Sequence, residues 1–545
     1  MRSTPQKIVE QLVNRCPKSG RITGLRRDTR LAKILLPVLG VLAIGWFLFR
    51  VVPKPSRAAY PCQRVAAGIG ASFLAYLAGL LLTYTGLRFI YQRLGKTLAL
   101  VVVVAVVALG YYGMGRAQTP APGQPIVQDL KPREGCNNPM GDGKGISPGR
   151  VVWVQDFRAT QWNGTTGHWW QDENIDQLTV DRMFSRSLQS LTGTSSDAEA
   201  WDRLFHFYNT TNSRGERGYQ KGEKVVVKLN LNADAKGTAW SNAGYPSPHA
   251  VYTMVRQLIE VAGVPGACIT LADPSRCLNQ VLYAKIRSNP GPDFQQVIFA
   301  DKLGGEAPQR VKAEPDMKSP IHFTLPGNSN VVMYLPKIYT EATYLINYAL
   351  VRPHRVFGIT MAAKNHFGSV YDTQAKAFAP NVLHAFALWD YATPYKHGNV
   401  NGLVQLLGHK ELGGKTLLYF ADGLYTSKNQ SLSVVRWSTL NNRWFSSFLM
   451  SQDPVALDSV GYDLLCSEPN LTQGNPSFNG HVDGYLHEAA LAGHPPSKAR
   501  YDPENDGKAL QSLGVHEHWN NAAEKKYARN LGKKEGIELI AISMD

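Results

Sequence analysis

The stretch from Lys224 to Asp273 constrains the fold of this chain more than any other. It opens with "KVVVKLNLN", a short β-branched run that reads as a buried strand, and continues through a Gly-, Asn- and Ser-rich loop at 234–246. In "SPHAVYTMVRQLIEVAG", Ser247 suits a helix cap and Pro248 the first helical position. Val251, Met254, Leu258 and Ile259 make one apolar face, and Gly263 closes the helix. "CITLAD" (268–273) then reads as a second buried strand. Strand, helix and strand at this separation predict parallel neighbours with a right-handed crossover. "TYLINYAL" and "KTLLYFADG" supply further strands, so the expected fold class is α/β with a mostly parallel sheet.

Charge adds a second constraint. The net charge of +16 suggests a nucleic-acid partner until its location is considered. Residues 1–33 carry nine Lys or Arg against Glu10 and Asp28, and residues 34–116 add eight basic residues and no acid, so these 116 residues hold +15 of the total. The rest is nearly neutral, which excludes a basic stripe for phosphate backbones. Three charge-free apolar runs, 34–49, 65–87 and 97–115, accompany the basic excess, the first being short and carrying Pro37. They predict three N-terminal transmembrane helices, with a cleaved signal peptide as the alternative for the first. The nine basic residues of the leader, with Arg88, Arg93 and Lys96, outweigh Arg50, Lys54, Arg57 and Arg64, which puts the leader inside. Three spans then export the remainder.

The predicted order is therefore a basic cytoplasmic leader (1–33), three spans (34–115), a Pro- and Gly-rich tether (116–147) and an extracytoplasmic α/β domain (148–545). The expected location is the cytoplasmic membrane, multi-pass, with the membrane and other envelope proteins as partners. Six cysteines (Cys16, Cys62, Cys136, Cys268, Cys277, Cys466) form no C-x-x-C, so no cysteine-ligated cluster or zinc site is expected. In an exported domain Cys268 with Cys277, and Cys62 with Cys136, are candidate pairs, with buried thiols as the alternative.

Open α/β sheets bind ligands beyond the carboxyl ends of their strands. Lys228 and Asn230 leave the first strand, Asp273 the second, Asn347 lies in or near the end of a third, and Asp422 leaves a fourth. Each alone is as well explained by a turn; several together with lysines suggest one site. "LVRPHRVFGITMAAKNHFGSV" adds Arg352, His354 and Arg355 before a small-residue run and Lys364, Asn365 and His366 after it. A lysine among small residues suits a carboxylate or phosphate, or else snorkels to an acid. In "SQDPVALDSVGYDLL", Asp453 reads as a cap, followed by Asp458 and Asp463. The weak metal candidates are His487 and Glu488 in "DGYLHEAA", where Asp483 stands four residues before His487, and His516 and His518 in "GVHEHWNN". No Gly-rich phosphate loop, G-x-S-x-G elbow or H-E-x-x-H motif is present.

"VVVKLNLN", "SPHAVYTMVRQLIEVAG", "ITLADPS", "RVFGITMAAKNHFGSV" and "SQDPVALDSVGYDLL" resemble, in order and spacing, the domain of unknown function 362 family over about 220–470. The resemblance implies that Lys228, Asn230, Asp273, Lys364, Asn365, Asp453 and Asp458 occupy the family's motif positions. It implies no established activity. Many relatives carry ferredoxin-like cysteine motifs that are missing here, so that cofactor is not expected, and the three spans with the long tail after 470 look like a membrane-anchored branch of the family. The leading functional reading is an enzyme acting on a small anionic substrate. Lys364, Asn365, Asp273 and His366 are its catalytic candidates, and Lys228, Asn230, Asn347, Asp422 and Asp453 its substrate-binding ones. A non-catalytic scaffold of an envelope complex and a metal-binding redox-associated protein are the alternatives.

Overall fold

The computed structural model describes residues 13–15, 18, 22–25, 134–231, 240–324, 330–354, 357–378, 398–429, 432–472 and 481–545. The three apolar runs, most of the leader and the expected tether up to 133 lie outside the described residues. Among the described residues no helix is long and apolar enough to cross a membrane. The chain divides into two units, residues 1–16 with 20–124, and residues 17–19 with 125–545. In the first, Val13–Arg15 pairs antiparallel with Ile22–Leu25.

The second unit is a mixed α/β domain built on a nine-stranded sheet. In chain order its strands are β1 (Arg150–Gln155), β2 (Val225–Leu229), β3 (Ile269–Asp273), β4 (Ile298–Asp301), β5 (Arg310–Lys312), β6 (Tyr344–Leu350), β7 (Thr416–Gly423), β8 (Ser447–Ser451) and β9 (Glu538–Ser543). Across the sheet they lie in the order β9-β1-β8-β7-β6-β2-β3-β4-β5. Only β8 runs against its neighbours; every other pair is parallel. The expected crossover is present: β2 and β3 are parallel neighbours joined through helix α3 below.

Helices cover both faces, which is why the central strands read as unbroken apolar runs. Helices α1 (Gln177–Thr192), α2 (Asp197–Thr211) and α3 (Pro248–Arg256) cover one face, where Val225, Val227, Leu229 and Leu271 meet Phe184, Leu204 and Met254. The opposite face carries α4 (Ala362–Asn365), α5 (Pro454–Cys466) and α6 (His481–Ala490), against Val226, Ala272, Leu345 and Ala349. Helix α3 starts as its sequence predicts: the Ser247 side chain accepts from Ala250 N, and Pro248 stands in the first turn. A π-turn over Gln257–Val261 extends it before Gly263, whose φ of +70° ends the run. A separate four-stranded antiparallel sheet, from Pro315–Thr324, Asn330–Pro336, Tyr371–Asp372 and Ala377–Phe378, lies outside the predicted pattern.

Two expectations change here. The last part of the predicted tether, 134–147, is docked on the domain: Met140 exchanges backbone hydrogen bonds with His516, Lys144 N donates to Asp453 and Ile146 N to Gln452. Its Pro- and Gly-rich composition concealed this, because side chains elsewhere satisfy its amides. No disulfide joins Cys268 to Cys277, whereas Cys136 is disulfide-bonded.

Candidate functional site

Register places Lys228 of β2 directly beside Asn347 of β6 and Ala272 of β3. Residues two apart on a strand share a face, so Lys228 sides with Val226 and Asn347 with Leu345, toward the face that carries α4 and α5. The Lys228 side chain is almost fully buried and makes three bonds: to Leu229 O at 2.6 Å, Asn365 Oδ1 at 3.1 Å and Asp273 Oδ2 at 3.2 Å. An ammonium has three donors, so all are used. Burial pushes the Lys228 pKa down, and the Asp273 carboxylate works against that.

The network continues through amides. Asn365 Nδ2 shares its two protons among three acceptors, Lys228 O (2.9 Å), Asn347 Oδ1 (2.8 Å) and Tyr348 O (3.1 Å). Asn347 Nδ2 donates to Ala362 O at 2.9 Å and meets His366 Nε2 at 3.0 Å. A donating amide makes that ring nitrogen an acceptor and leaves the proton on Nδ1. Burial, reinforced by Lys228, lowers the His366 pKa to about 3, so the ring is neutral. Asp273 Oδ1 receives Ser275 N (3.1 Å) and Ser275 Oγ (2.9 Å), and its Oδ2 receives Leu231 N (3.2 Å). Asn230 Nδ2 donates to Thr360 O and Oγ1 at 3.1 and 2.9 Å, tying the exit of β2 to the run before α4.

The small residues around Lys364 have a steric reason. A Cβ on Gly368 would stand 2.5 Å from Ser275 Oγ and 2.8 Å from Asp273 Oδ1, so only glycine lets this segment approach the exit of β3. Helix α4 is anchored from α5: Asp458 accepts Ala362 N at 2.7 Å, Ala363 N at 3.2 Å and a short bond from Tyr485 Oη. Burial raises the Asp458 pKa to about 6 against these three donors. The late Asp458 of "DPVALD" therefore positions Lys364 and Asn365.

Lys364 itself differs from Lys228. Its Nζ lies 3.6 Å from the centre of the Phe367 ring and 5.0 Å from that of Phe357, it has no hydrogen bond among the described residues, and the residue keeps 9% of its surface exposed. Burial drives its pKa well below the usual lysine value, and Arg276, Arg352 and Lys228 push it further down, with only Asp273 opposing. Arg352 is buried and donates to Gly244 O at 2.6 Å. Three cations thus act on Lys364 against the Asp273 carboxylate.

Asp422 and Asp453 do not join this group. Asp422 shares parity with Leu418 and Phe420, so it faces the layer containing α3. There it accepts from Ser247 N (2.7 Å), Leu424 N (3.0 Å) and Tyr348 Oη (2.9 Å), and burial raises its pKa. Asp453 caps α5, accepting from Ala456 N and Lys144 N at 2.8 Å and Val515 N at 3.1 Å, with burial raising its pKa to about 7. Arg276 was not singled out in the sequence, although it stands three residues beyond the strand-exit Asp273. A cleft of about 280 Å³ lined in part by Trp162, Arg436, Arg443 and Trp444 contains none of these residues.

Of the metal candidates, three converge. Ring centroids of His487 and His516 are 5.2 Å apart, and those of His516 and His518 are 4.9 Å apart. Glu488 instead binds Ser497 and Tyr501.

A mostly parallel α/β domain with buried lysines, amides and a carboxylate beyond its strand ends is the class of protein these features define. Residues 225–463 match the model of a family described as Domain of unknown function (DUF362), which supports the resemblance carried by the five motifs. No curated protein matches the chain.

Proposed function

We propose that the carboxyl edge of the sheet binds a small anion, a carboxylate or a phosphate, with Lys364, Arg276 and Arg352 as its counter-charges. One observation carries the reading. Lys364 is a largely buried amine with no hydrogen bond among the described residues, in the field of Arg276, Arg352 and Lys228, while Asp273, the carboxylate acting on it, is engaged by Lys228, Ser275 and Leu231. An anion there improves the charge balance and favours the ammonium form of Lys364. Lys228, with its donors used, organises the site rather than contacting the ligand. Neutral His366, whose Nε2 accepts from Asn347, is held at a pKa too low for proton transfer near neutral pH, so the reading is one of anion binding.

Thermal unfolding of the full chain in mild detergent, with and without inorganic phosphate or a dicarboxylate, tests the reading. Wild type gains several degrees at saturating anion, and Lys364→Met loses that gain. Equal shifts in both proteins, or none in wild type, sink it.

Membrane anchoring through 34–49, 65–87 and 97–115, with the α/β domain outside, belongs to the same proposal and rests on hydropathy and charge. The disulfide at Cys136 fits an oxidising compartment. A reporter at the C-terminus that works only in the cytoplasm would refute the exported topology.

A further inference from the structure

We infer that Glu134, His516 and His518, with Asp483 and His487 at the edge of the set, form a binding site for one divalent transition-metal ion of nitrogen and oxygen preference, zinc foremost. The site is separate from the proposed anion site. The ligand atoms of Glu134, His516 and His518 lie within 4.8 Å of one another. Donors sharing an ion at about 2.0–2.2 Å stand roughly 3–4 Å apart, so a small contraction closes the set.

His516 and His518 are each held in a fixed orientation by a partner on Nδ1. His518 Nδ1 is 2.7 Å from Asp463 Oδ1, and the other Asp463 oxygen is fixed by Trp519 N (2.9 Å) and Tyr527 Oη (2.8 Å). This carboxylate–histidine pair fixes the ring, with Nε2 turned toward Asp483, as a carboxylate behind a metal-binding histidine does. Ser459 Oγ donates to Val455 O at 2.7 Å, so it accepts from His516 Nδ1 at 2.8 Å, and His516 Nε2 carries the lone pair.

Asp483 supplies an independent pointer. It is fully buried, its Oδ1 lies 3.2 Å from His518 Nε2, and its Oδ2 has no hydrogen-bond partner among the described residues. A buried carboxylate oxygen without a donor is costly, and a cation bound by this carboxylate removes the cost. The 3.2 Å separation is that of two neighbouring ligands on one ion. His487 stands beside the set, its Nε2 2.8 Å from Glu134 Oε2. With no thiolate among these groups, the donors suit Zn²⁺, Mn²⁺ or Fe²⁺ over copper(I). Because Glu134 enters before β1, His487 lies on α6 and His516 and His518 lie in the tail, the ion ties the entry of the domain to its C-terminal segment.

The test uses the full chain purified in mild detergent without added metal. Elemental analysis is expected to find about one transition-metal ion per chain. After stripping with a chelator, Zn²⁺ raises the thermal midpoint and Co²⁺ gives visible d–d bands. Glu134→Gln and Ser459→Ala, both mild changes, bind Co²⁺ roughly 10–100-fold more weakly with unchanged circular dichroism. Metal no higher than trace together with no cobalt spectrum overturns the assignment. So does cobalt binding that neither variant weakens.

Discussion

Lys228 and Lys364 are both buried at the same edge of one sheet, and they differ in how their charge is met. Lys228 leaves β2 into a closed network in which Leu229 O, Asn365 Oδ1 and Asp273 Oδ2 take every proton it offers. Lys364, on the short helix α4, rests against Phe357 and Phe367 in the field of Arg276, Arg352 and Lys228. A buried ion is tolerated when its partners satisfy it and is costly otherwise. The first lysine is therefore part of the architecture. The second is the kind of locally unfavourable group that a ligand makes favourable.

The largest expected effect comes from opening the closed network. Asp273→Ala strips Lys228 of its counter-ion and leaves the cations of this edge uncompensated, which is expected to cost about 3–5 kcal/mol in chemical denaturation. A loss below about 1 kcal/mol means that Asp273 is not the group holding this edge together.

An intermediate effect concerns the anchor beneath Lys364. Burial raises the Asp458 pKa from its usual 3.8 to about 6, so the folded protein holds a proton that the unfolded chain releases between those values. Stability then falls as pH rises through that window, by on the order of 1–3 kcal/mol. Asp458→Asn is expected to remove this part of the slope in unfolding curves from pH 4 to 7. A slope identical to wild type shows that the amides of Ala362 and Ala363 keep Asp458 ionised throughout.

The smallest effect has the opposite sign. Lys364→Met places an apolar chain between two phenyl rings and deletes a desolvated amine, so the ligand-free protein is expected to gain about 1 kcal/mol. A clear loss of stability would give Lys364 a structural partner and erase its contrast with Lys228.

Much of the fold was legible because its signals are local. The β-branched run at Val225, the Ser247-Pro248 start and the Ile269 run are each readable within a few residues, and together they specify the β2–α3–β3 crossover. The candidate site was legible in composition but less so in roles. Lys228, Asp273, Asn347, Asn365 and Lys364 come together, while Asp422 turns to the other face because side chains alternate along β7. Arg276 gave no pattern to notice, since its contribution is a charge at a distance. Glu134 and His516 meet across most of the domain's length, a proximity no local window contains.

From the sequence alone came the parallel α/β class, the crossover unit, the motif residues and the cap at Asp453, all dictated by periodicity, capping chemistry and turn preference over short spans. Only the tertiary structure decided which of two buried lysines is satisfied, because that depends on where acceptors from β3 and α4 end up after folding. Tertiary packing likewise set the docking of 134–147 and the gathering of His487, His516 and His518, since burial and hydrogen bonding between distant segments have no periodicity in the chain.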